Sequence, residues 1–397
     1  QTGPITRTET SKMVVVEGKK LRIVVKIGTS SLLKTETNRT TLALATLAST
    51  VEVLAKLRNA GHEVVLVSSG AVGAGCERYN LGERPADEIA RQALAAMGQV
   101  HLICKYDMLF SSLGQLCAQV LLTYENCVDR VQFLNAKNTF DKLFEMGVIP
   151  IVNENDTVGI QELKADNDKL ACMVSNMIGA DLVFLMTDVD GVYTANPNVD
   201  PNAQHIAYVT DLDELKAKCN LGDDDSSWGT GGMAAKISAA SLATSLGVRA
   251  VIMNAANVSQ IGDYVEHEAL EANNGTSEVY PLGTTFERSS SPPVERKRWI
   301  RSLKCRGVIT VNDDCKRAIE RHRNLLASGI TKIEGNFSAF EAVSVVDRSG
   351  LQIAYGLANV PATDAKKIMG MKSDEAFALV GQSGTVIGRH NMAFENA

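Results

Sequence analysis

The chain has 397 residues, of which 45% are hydrophobic and 22% are charged, and these shares are typical of a folded protein rather than a disordered or collagen-like chain. Its formal net charge of −6 provides no overall positive field that would hold a nucleic acid. The longest apolar runs are too short to cross a bilayer. We therefore expect a soluble protein of two or three domains, with no membrane partner, and most readily an enzyme.

The eight cysteines are scattered, without a C-x-x-C pair or a histidine at zinc-ligand spacing. This pattern favours free thiols that act as small core residues, and it fits a reducing, cytoplasmic location. Residues 1–20 lack the charged and then apolar pattern of a secretion signal, and we expect them to form a flexible polar leader.

From Leu21 onward, short β-branched runs alternate with longer helical stretches. Strands are predicted over Leu21–Ile27, Glu63–Val67, Ala118–Leu122, Val148–Val152 and Leu182–Met186. Helices are predicted over Thr40–Ala60, Pro85–Met97, Val100–Ser112, Val131–Met146, Asp168–Ile178 and Met233–Ser245. This alternation predicts an α/β fold with an open, mainly parallel sheet sandwiched by helices.

The composition changes near residue 284. A stretch rich in Ser, Thr and Pro, followed by the basic residues Arg296–Arg298, predicts a linker over residues 284–300. Beyond it, short strands separated by turns predict a small β-rich domain; they cover Gly307–Val311, Ala342–Val346 and Gln352–Tyr355. We therefore divide the chain into the leader 1–20, an α/β domain 21–283, the linker, and a β-rich domain 301–397.

Small and polar residues follow four of the predicted strands. In a parallel sheet, ligands bind outside the carboxyl ends of the strands. The residues found at these ends are Gly28–Ser30, Ser69–Ala71, Asn153–Asp156 and Thr187–Asp188. Their convergence on one rim of the sheet favours an active site there.

Two lysines accompany glycine turns. Lys26 lies near the end of the first strand and can aim its ammonium group at an anion cradled by the backbone N–H groups after Gly28. Lys236 lies near the start of a helix preceded by Gly229–Gly232, and helix N-termini bind phosphates. Neither spacing is a Walker A or a Rossmann motif. A surface lysine and an ordinary glycine loop are the respective alternatives.

Carboxylates bunch in Asn153–Asp156 and in Asp166–Asp168, where they repel each other unless cations or ammonium groups lie between them. Helix capping by Asp166 or Asn167 would explain only one of these residues. The strand at Leu182–Met186 ends in a polar turn, in which Tyr193 either faces a base or packs in the core. Together, these patterns favour phosphoryl transfer between two ammonium groups that a carboxylate orients.

Six segments resemble the glutamate 5-kinase family, a branch of the amino-acid kinase superfamily, in the form that carries a C-terminal PUA domain. They are VVKIGTSSL, VSSGAVGAG, IPIVNENDTV, DNDKLA, LMTDVDGVYTANP and GTGGMAAKISAA. The tail segments KRWI, GVITVNDD, LLASGITKIEGNF and QIAYGLANV resemble the PUA domain. The resemblance implies an amino-acid kinase fold for residues 21–283 and a PUA-like domain for residues 301–397.

The resemblance also implies a reaction, in which ATP phosphorylates the side-chain carboxylate of L-glutamate to give L-glutamyl 5-phosphate, the first step of proline synthesis. Mg²⁺ is implied on the ATP phosphates, but no motif identifies its protein ligands. The implied catalytic residues are Lys26, Lys236 and Asp168. The implied glutamate-binding residues are Ser69, Gly70, Asn153, Asp156 and Asn167. The implied ATP-binding residues are Lys26, Gly28, Thr187, Asp188, Tyr193, Thr230, Gly231, Gly232, Met233 and Lys236.

Further implications of the resemblance concern partners: a homodimer or homotetramer, feedback inhibition by proline, and handover of the product to glutamyl phosphate reductase.

The chain departs from the family where Lys164–Asp168 is one residue shorter than the usual K-[FV]-G-D-N-D. Three alternatives stay open. They are a kinase for carbamate, acetylglutamate or aspartate, a regulatory pseudokinase, and RNA binding through the tail, which the net charge and the 5% aromatic content disfavour.

Overall fold

The computed structural model describes residues 19–36, 39–159, 167–197, 199–219, 232–274, 280–289, 297, 300–301, 303–339, 341–380 and 384–394. The predictions made for the leader up to residue 18, for Asp166, for Thr230 and Gly231, and for residues 290–296 of the linker lie outside the described residues.

The first domain alternates strands and helices as the sequence predicts. Its strands are β1 (Arg22–Ile27), β2 (Leu33–Glu36), β3 (Arg39–Leu42), β4 (Glu63–Ser68), β5 (Cys117–Leu122), β6 (Ile149–Glu154), β7 (Leu182–Thr187), β8 (Val192–Tyr193), β9 (His205–Ile206), β10 (Tyr208–Val209), β11 (Arg249–Asn254) and β12 (Thr284–Phe286). Its helices are α1 (Thr29–Leu32), α2 (Leu44–Asn59), α3 (Ala71–Tyr79), α4 (Glu88–Ser112), α5 (Tyr124–Val128), α6 (Arg130–Glu145), α7 (Asn167–Ile178), α8 (Leu212–Lys218), α9 (Gly232–Ser245) and α10 (Ile261–Asn274).

Within the described residues, eight of these strands form one sheet in the order β10-β12-β11-β7-β1-β4-β6-β5. Every neighbouring pair is parallel except β11 with β12. The prediction of an open, mainly parallel sheet is therefore confirmed. The carboxyl ends of β1, β4, β6 and β7 lie side by side, so the polar segments that follow these strands share one rim.

The two faces of the sheet carry separate cores. Because side chains alternate along a strand, Val24 packs with α7 and α9 on one face, whereas Ile23 and Val25 pack with α2, α4 and α10 on the other. Lys26 lies two residues after Val24, so its side chain points to the same face of the sheet. The sequence thus directs the Lys26 side chain to the face that carries α7 and α9.

The second domain is built around a five-stranded sheet in the order β15-β13-β16-β17-β19, beside a two-stranded pair of β14 and β18. Its strands are β13 (Gly307–Val311), β14 (Leu325–Leu326), β15 (Ile330–Gly335), β16 (Ala342–Val346), β17 (Gln352–Leu357), β18 (Thr385–Ile387) and β19 (Met392–Phe394). Its helices are α11 (Asp313–Glu320), α12 (Ala362–Ile368) and α13 (Ser373–Val380). The three predicted tail strands match β13, β16 and β17, so the β-rich prediction is confirmed.

No helix in the described part of the chain combines the length and the apolarity needed to span a membrane.

Three elements differ from their predictions. The helix predicted from Thr40 begins at Leu44, because β3 pairs with β2 as a hairpin before it. The two helices predicted between residues 85 and 112 form the single helix α4. Thr284–Phe286, predicted as the start of the linker, is strand β12, since its threonine and phenylalanine side chains favour a strand and are buried against β11.

Gly98 lies where the two predicted helices merge into α4, and it is the point at which α4 crosses α3. A glycine within a helix is tolerated at a modest cost, and here it allows α4 to touch α3. A Cβ atom at Gly98 would lie 1.8 Å from the Ala71 carbonyl oxygen and 2.3 Å from the Gly75 nitrogen. The reciprocal position, Gly75, would bring a Cβ to 2.0 Å from the Leu94 carbonyl oxygen. The close crossing of α3 and α4 therefore depends on the absence of side chains at Gly75 and Gly98.

This contact generates the first prediction. Gly98→Ala should destabilise the protein by about 1–3 kcal/mol, because the methyl group must push two helix backbones apart. Gly262→Ala in α10 is the matched control. A Cβ there meets no atom within 4 Å, so this change should be neutral or stabilising, as alanine is in an unstrained helix. Urea unfolding followed by circular dichroism measures both variants, and equal stability of the two would contradict the argument.

Candidate active site

A single carboxylate joins two lysines at the carboxyl rim of the sheet. The Asp168 Oδ1 atom lies 2.5 Å from the Lys26 Nζ atom, and Asp168 Oδ2 lies 3.0 Å from Lys236 Nζ. Asp168 belongs to the first turn of α7 and Lys236 lies near the start of α9, so the three groups come from one strand and two helices packed on the same face. The side chains are 1%, 3% and 11% exposed for Asp168, Lys26 and Lys236, respectively. Lys26 is therefore not a surface lysine.

The charges of this triad do not cancel. Two ammonium groups and one carboxylate carry a net charge of +1 in a buried setting, where electrostatic interactions are stronger than in water. The Lys26 ammonium group lies over the glycine turn, because a Cβ at Gly28 would be only 3.4 Å from Lys26 Nζ. The arrangement is therefore suited to an anion placed between the lysines and the turn after β1.

A second polar cluster begins at the adjacent residue. The Asn167 Nδ2 group donates to the Ser69 hydroxyl at 2.9 Å and to the Asn153 Oδ1 atom at 3.3 Å. The Asn167 Oδ1 atom is buried and accepts no hydrogen bond from the described residues. Because a buried carbonyl without a donor is costly, this oxygen is available for a ligand donor. The ends of β4 and β6 thus meet the start of α7.

Residues on α4 support this cluster from behind, and sequence reasoning missed them. Asn153 donates through Nδ2 to the Gln99 Oε1 atom at 2.9 Å. The Tyr106 hydroxyl lies 2.9 Å from the Ser68 hydroxyl, and both side chains are buried. Burial raises the pKa of Tyr106 above its ordinary value, although the Ser68 hydrogen bond opposes the shift. Nothing in the local sequence of α4 marks these two residues, because their role depends on the helix-to-sheet packing.

Gly70 shapes the loop between β4 and α3. Its φ of 97° lies in the left-handed region that favours glycine, and it lets the chain turn from Ser69 directly into α3. Asp156 lies in the turn after β6 and is half-buried. Ser69, Gly70, Asn153 and Asn167 are therefore brought together, whereas Asp156 lies on the adjoining turn.

On the other side of the triad, β7 ends in a polar turn. The Thr187 hydroxyl donates to the Asp188 carboxylate at 3.0 Å. Tyr193 lies in the β8–β9 hairpin, half-buried, with its ring in edge-to-face contact with His205 at a centroid distance of 5.2 Å. Gly232 and Met233 open α9. This side therefore contains the described residues for which the resemblance implies ATP binding.

The segment before the strands of the C-terminal β-rich domain contacts α5, next to the helix that carries Asp168. The Lys304 backbone N–H donates to the Tyr124 hydroxyl, and the Lys169 ammonium group lies 5.1 Å from the centre of the Tyr124 ring. Burial, and then the nearby Lys304 charge, lower the pKa of Lys169. Burial also raises the pKa of Tyr124 to about 12. Tyr124 thus links Lys304 to Lys169, the neighbour of Asp168 in the sequence.

Models of known protein families match parts of both domains. The model of the amino acid kinase family matches residues 21–254, and that of the PUA domain matches residues 307–378. The first match covers more than half of the chain, including the triad and the cluster around Asn167. The chain belongs to the amino acid kinase family, and it carries a PUA domain at its C-terminal end.

Full-length relatives narrow the family further. The chain is 45% identical over 379 residues to a glutamate 5-kinase of Rippkaea orientalis. This alignment covers 94% of this chain and 99% of the relative. It is 46% identical over 375 residues to a glutamate 5-kinase of Nostoc punctiforme, in an alignment that covers 93% of this chain and 98% of the relative. The chain is therefore a member of the glutamate 5-kinase family, and it is an enzyme of the kinase class.

The contact behind the cluster yields a second prediction. Tyr106→Phe removes only the hydroxyl group that meets Ser68, and it should destabilise the protein by about 1 kcal/mol, the net value of one hydrogen bond. Tyr79→Phe is the control, because Tyr79 is 65% exposed. The midpoint of urea unfolding should fall for the first variant only, and equal midpoints would show that the hydroxyl pair carries no net energy.

Proposed function

We propose that this protein transfers the γ-phosphoryl group of ATP to the side-chain carboxylate of L-glutamate and releases ADP and L-glutamyl 5-phosphate. One observation carries the proposal: Asn167 and Asp168 are adjacent in the sequence, and each binds a different polar cluster. Asn167 engages Ser69 and Asn153, while Asp168 engages Lys26 and Lys236. A substrate held by the first residue therefore lies beside the cationic pair gathered by the second. The glutamate 5-kinase relatives support the same reaction.

The chemical difficulty is electrostatic. The γ-phosphoryl group and the attacking carboxylate are both anionic, so they repel each other as the new P–O bond forms and the bond to the β-phosphate oxygen breaks. Two ammonium groups on either side of the transferred group offset this repulsion, and they act most strongly where water is excluded and the donors are already oriented. Lys26 and Lys236 meet these conditions because Asp168 holds both.

The acceptor needs no general base. A glutamate side chain with an ordinary pKa of about 4.3 is ionised at neutral pH, so no proton has to leave the attacking oxygen. Both Asp168 oxygens face lysines. We therefore assign Asp168 to holding Lys26 and Lys236 in position rather than to proton transfer.

Glutamate recognition is assigned to the cluster at the ends of β4 and β6. The buried Asn167 Oδ1 atom, which accepts no hydrogen bond from the described residues, can accept one from the substrate ammonium group. Asp156 would add a charge opposite to that ammonium group. Ser69 and Asn153 would complete the set with the backbone at Gly70, where the missing side chain leaves room for the ligand.

ATP is assigned to the opposite side of the triad. The described residues of this group are Lys26, Gly28, Thr187, Asp188, Tyr193, Gly232, Met233 and Lys236. The metal enters as part of the MgATP substrate. In the described ranges, no three His, Cys, Asp or Glu side chains are grouped so that they could hold a metal ion. Mg²⁺ would keep several waters and bind chiefly the nucleotide phosphates, as it usually does in kinase sites.

The wider setting follows from the same reaction. We propose that the protein supplies the first step of proline synthesis in the cytoplasm, that proline inhibits it by feedback, and that glutamyl phosphate reductase receives its labile product. A homodimer or homotetramer is supported by the exposed apolar side chains Val100 and Met108 on one face of α4, at 55% and 63% exposure. Light scattering of the purified chain measures this assembly.

The experiment that tests the function compares phosphoryl acceptors. The acyl phosphate product is trapped as its hydroxamate with MgATP and, in separate reactions, glutamate, aspartate, N-acetylglutamate or carbamate. We expect product with glutamate, and a lower rate when proline is added. Turnover of another acceptor alone would replace the proposal with a different amino-acid kinase, and no turnover of any acceptor would favour a regulatory protein.

The lysine pair yields the third prediction. Lys26→Met and Lys236→Met should each lower kcat for glutamyl phosphate formation by at least about 100-fold, because each removes a preorganised cation from the transition state. Lys142→Met is the matched control, since Lys142 is 67% exposed on α6, and it should keep the wild-type rate. Near-normal rates in both active-site variants would show that these lysines do not stabilise the transferred group.

A further inference from the structure

Asn254 is the last residue of β11, which lies directly beside β7 in the sheet. In the register of these strands, Asn254 is paired with Thr187. Its side chain therefore lies next to the turn Asp188–Gly191 that leaves β7. Neither the sequence motifs nor the residues assigned to catalysis and binding include it.

The two ends of the Asn254 amide have different partners. Its Nδ2 group donates to the Asp190 Oδ1 atom at 3.0 Å and to the Asp188 backbone carbonyl at 3.4 Å. Its Oδ1 atom accepts from the Ala256 backbone N–H at 3.0 Å, which caps the 3₁₀ helix Ala255–Gln260. The Oδ1 atom thus caps the 3₁₀ helix that follows β11, and the Nδ2 group ties β11 to the turn after β7.

The far end of this turn is clamped separately. The Val192 backbone N–H donates to the Thr284 hydroxyl at 2.7 Å. Gly191 has a φ of 149°, and a Cβ there would lie 2.5 Å from the His205 Nε2 atom and 2.6 Å from the Thr284 hydroxyl oxygen. The turn is therefore held by Thr284 at its exit and by Asn254 at its entry, where Thr187 and Asp188 lie.

We propose that Asn254 is a positioning residue for the nucleotide side of the active site. It holds the Asp188 backbone in place, and it draws the Asp190 carboxylate towards β11 rather than towards the phosphates. A neutral amide is suited to this task, because it binds a carboxylate without adding a charge beside the triad. The inference rests on the proposed assignment of ATP to the turn after β7.

The substitution Asn254→Asp separates the two contacts. The carboxylate retains an oxygen acceptor for the Ala256 N–H, so the cap is kept, as aspartate is a good capping residue. It replaces the amide donor with an anion facing Asp190. We expect the KM for ATP and the Kd for MgATP to rise about tenfold, the size of one lost hydrogen bond to a charged group, whereas the KM for glutamate should change by less than about twofold.

Asp190 provides the rescue and the control. Adding Asp190→Asn to Asn254→Asp restores a donor opposite the new carboxylate and should return most of the affinity for MgATP. Asp190→Asn alone keeps a carbonyl acceptor for the Asn254 amide, and it should bind MgATP nearly as the wild type does. If Asn254→Asp fails to fold, Asn254→Ser keeps a capping oxygen while losing the reach to Asp190, and the same rise in Kd is expected.

Equilibrium dialysis with MgATP measures the Kd without any acceptor, so it separates this inference from the proposed reaction. Wild-type affinity in Asn254→Asp would overturn the inference. Parallel losses for ATP and glutamate, accompanied by a lower melting temperature and no rescue, would also overturn it, because they indicate a merely structural role. If the wild type binds MgATP but phosphorylates no glutamate, the proposed function fails while the dialysis still tests Asn254.

Discussion

The Asp168 carboxylate, shared between Lys26 and Lys236, is the interaction on which the site depends. One carboxylate oxygen pairs with Lys26 and the other pairs with Lys236, and the side chains of Asp168 and Lys26 are almost fully buried. Two ammonium groups brought together in such a place would repel each other, and removing the partner of a buried charge is strongly destabilising. A single carboxylate makes their proximity tolerable, yet leaves a net charge of +1 for an anionic reacting group.

The fold supplies this arrangement through ordinary packing rules. Alternation along β1 sends Lys26 to the face covered by α7 and α9, and these helices contribute Asp168 and Lys236 near their N-terminal ends. Asn167, one residue earlier, reaches the ends of β4 and β6. The boundary between the two clusters is therefore a single peptide unit at the start of α7. The next residue, Lys169, faces the ring of Tyr124, whose hydroxyl accepts a hydrogen bond from the Lys304 N–H.

Much of this could be predicted from the sequence because it is encoded locally. The β-branched runs match the central strands, and the small or polar residues at their ends mark the rim. The places of Lys26 near the end of a strand and of Lys236 near the start of a helix could likewise be predicted from the sequence. Other features depend on tertiary contacts that no local pattern contains. The gap predicted between two helices near residue 98 is a crossing of α4 with α3, and Thr284–Phe286, predicted as part of the linker, is a strand buried against β11. Tyr106, Gln99 and Asn254 act through partners 38, 54 and 64 residues away.

The most direct test of the account is the single-turnover rate of phosphoryl transfer in Asp168→Asn at saturating MgATP and glutamate. The amide is nearly isosteric with the carboxylate but removes the charge that gathers the two lysines. We expect the rate to fall by at least about 100-fold, measured on variant protein that circular dichroism shows to be folded and that still binds MgATP. A folded variant that transfers the phosphoryl group within about threefold of the wild-type rate would contradict the central role of this carboxylate.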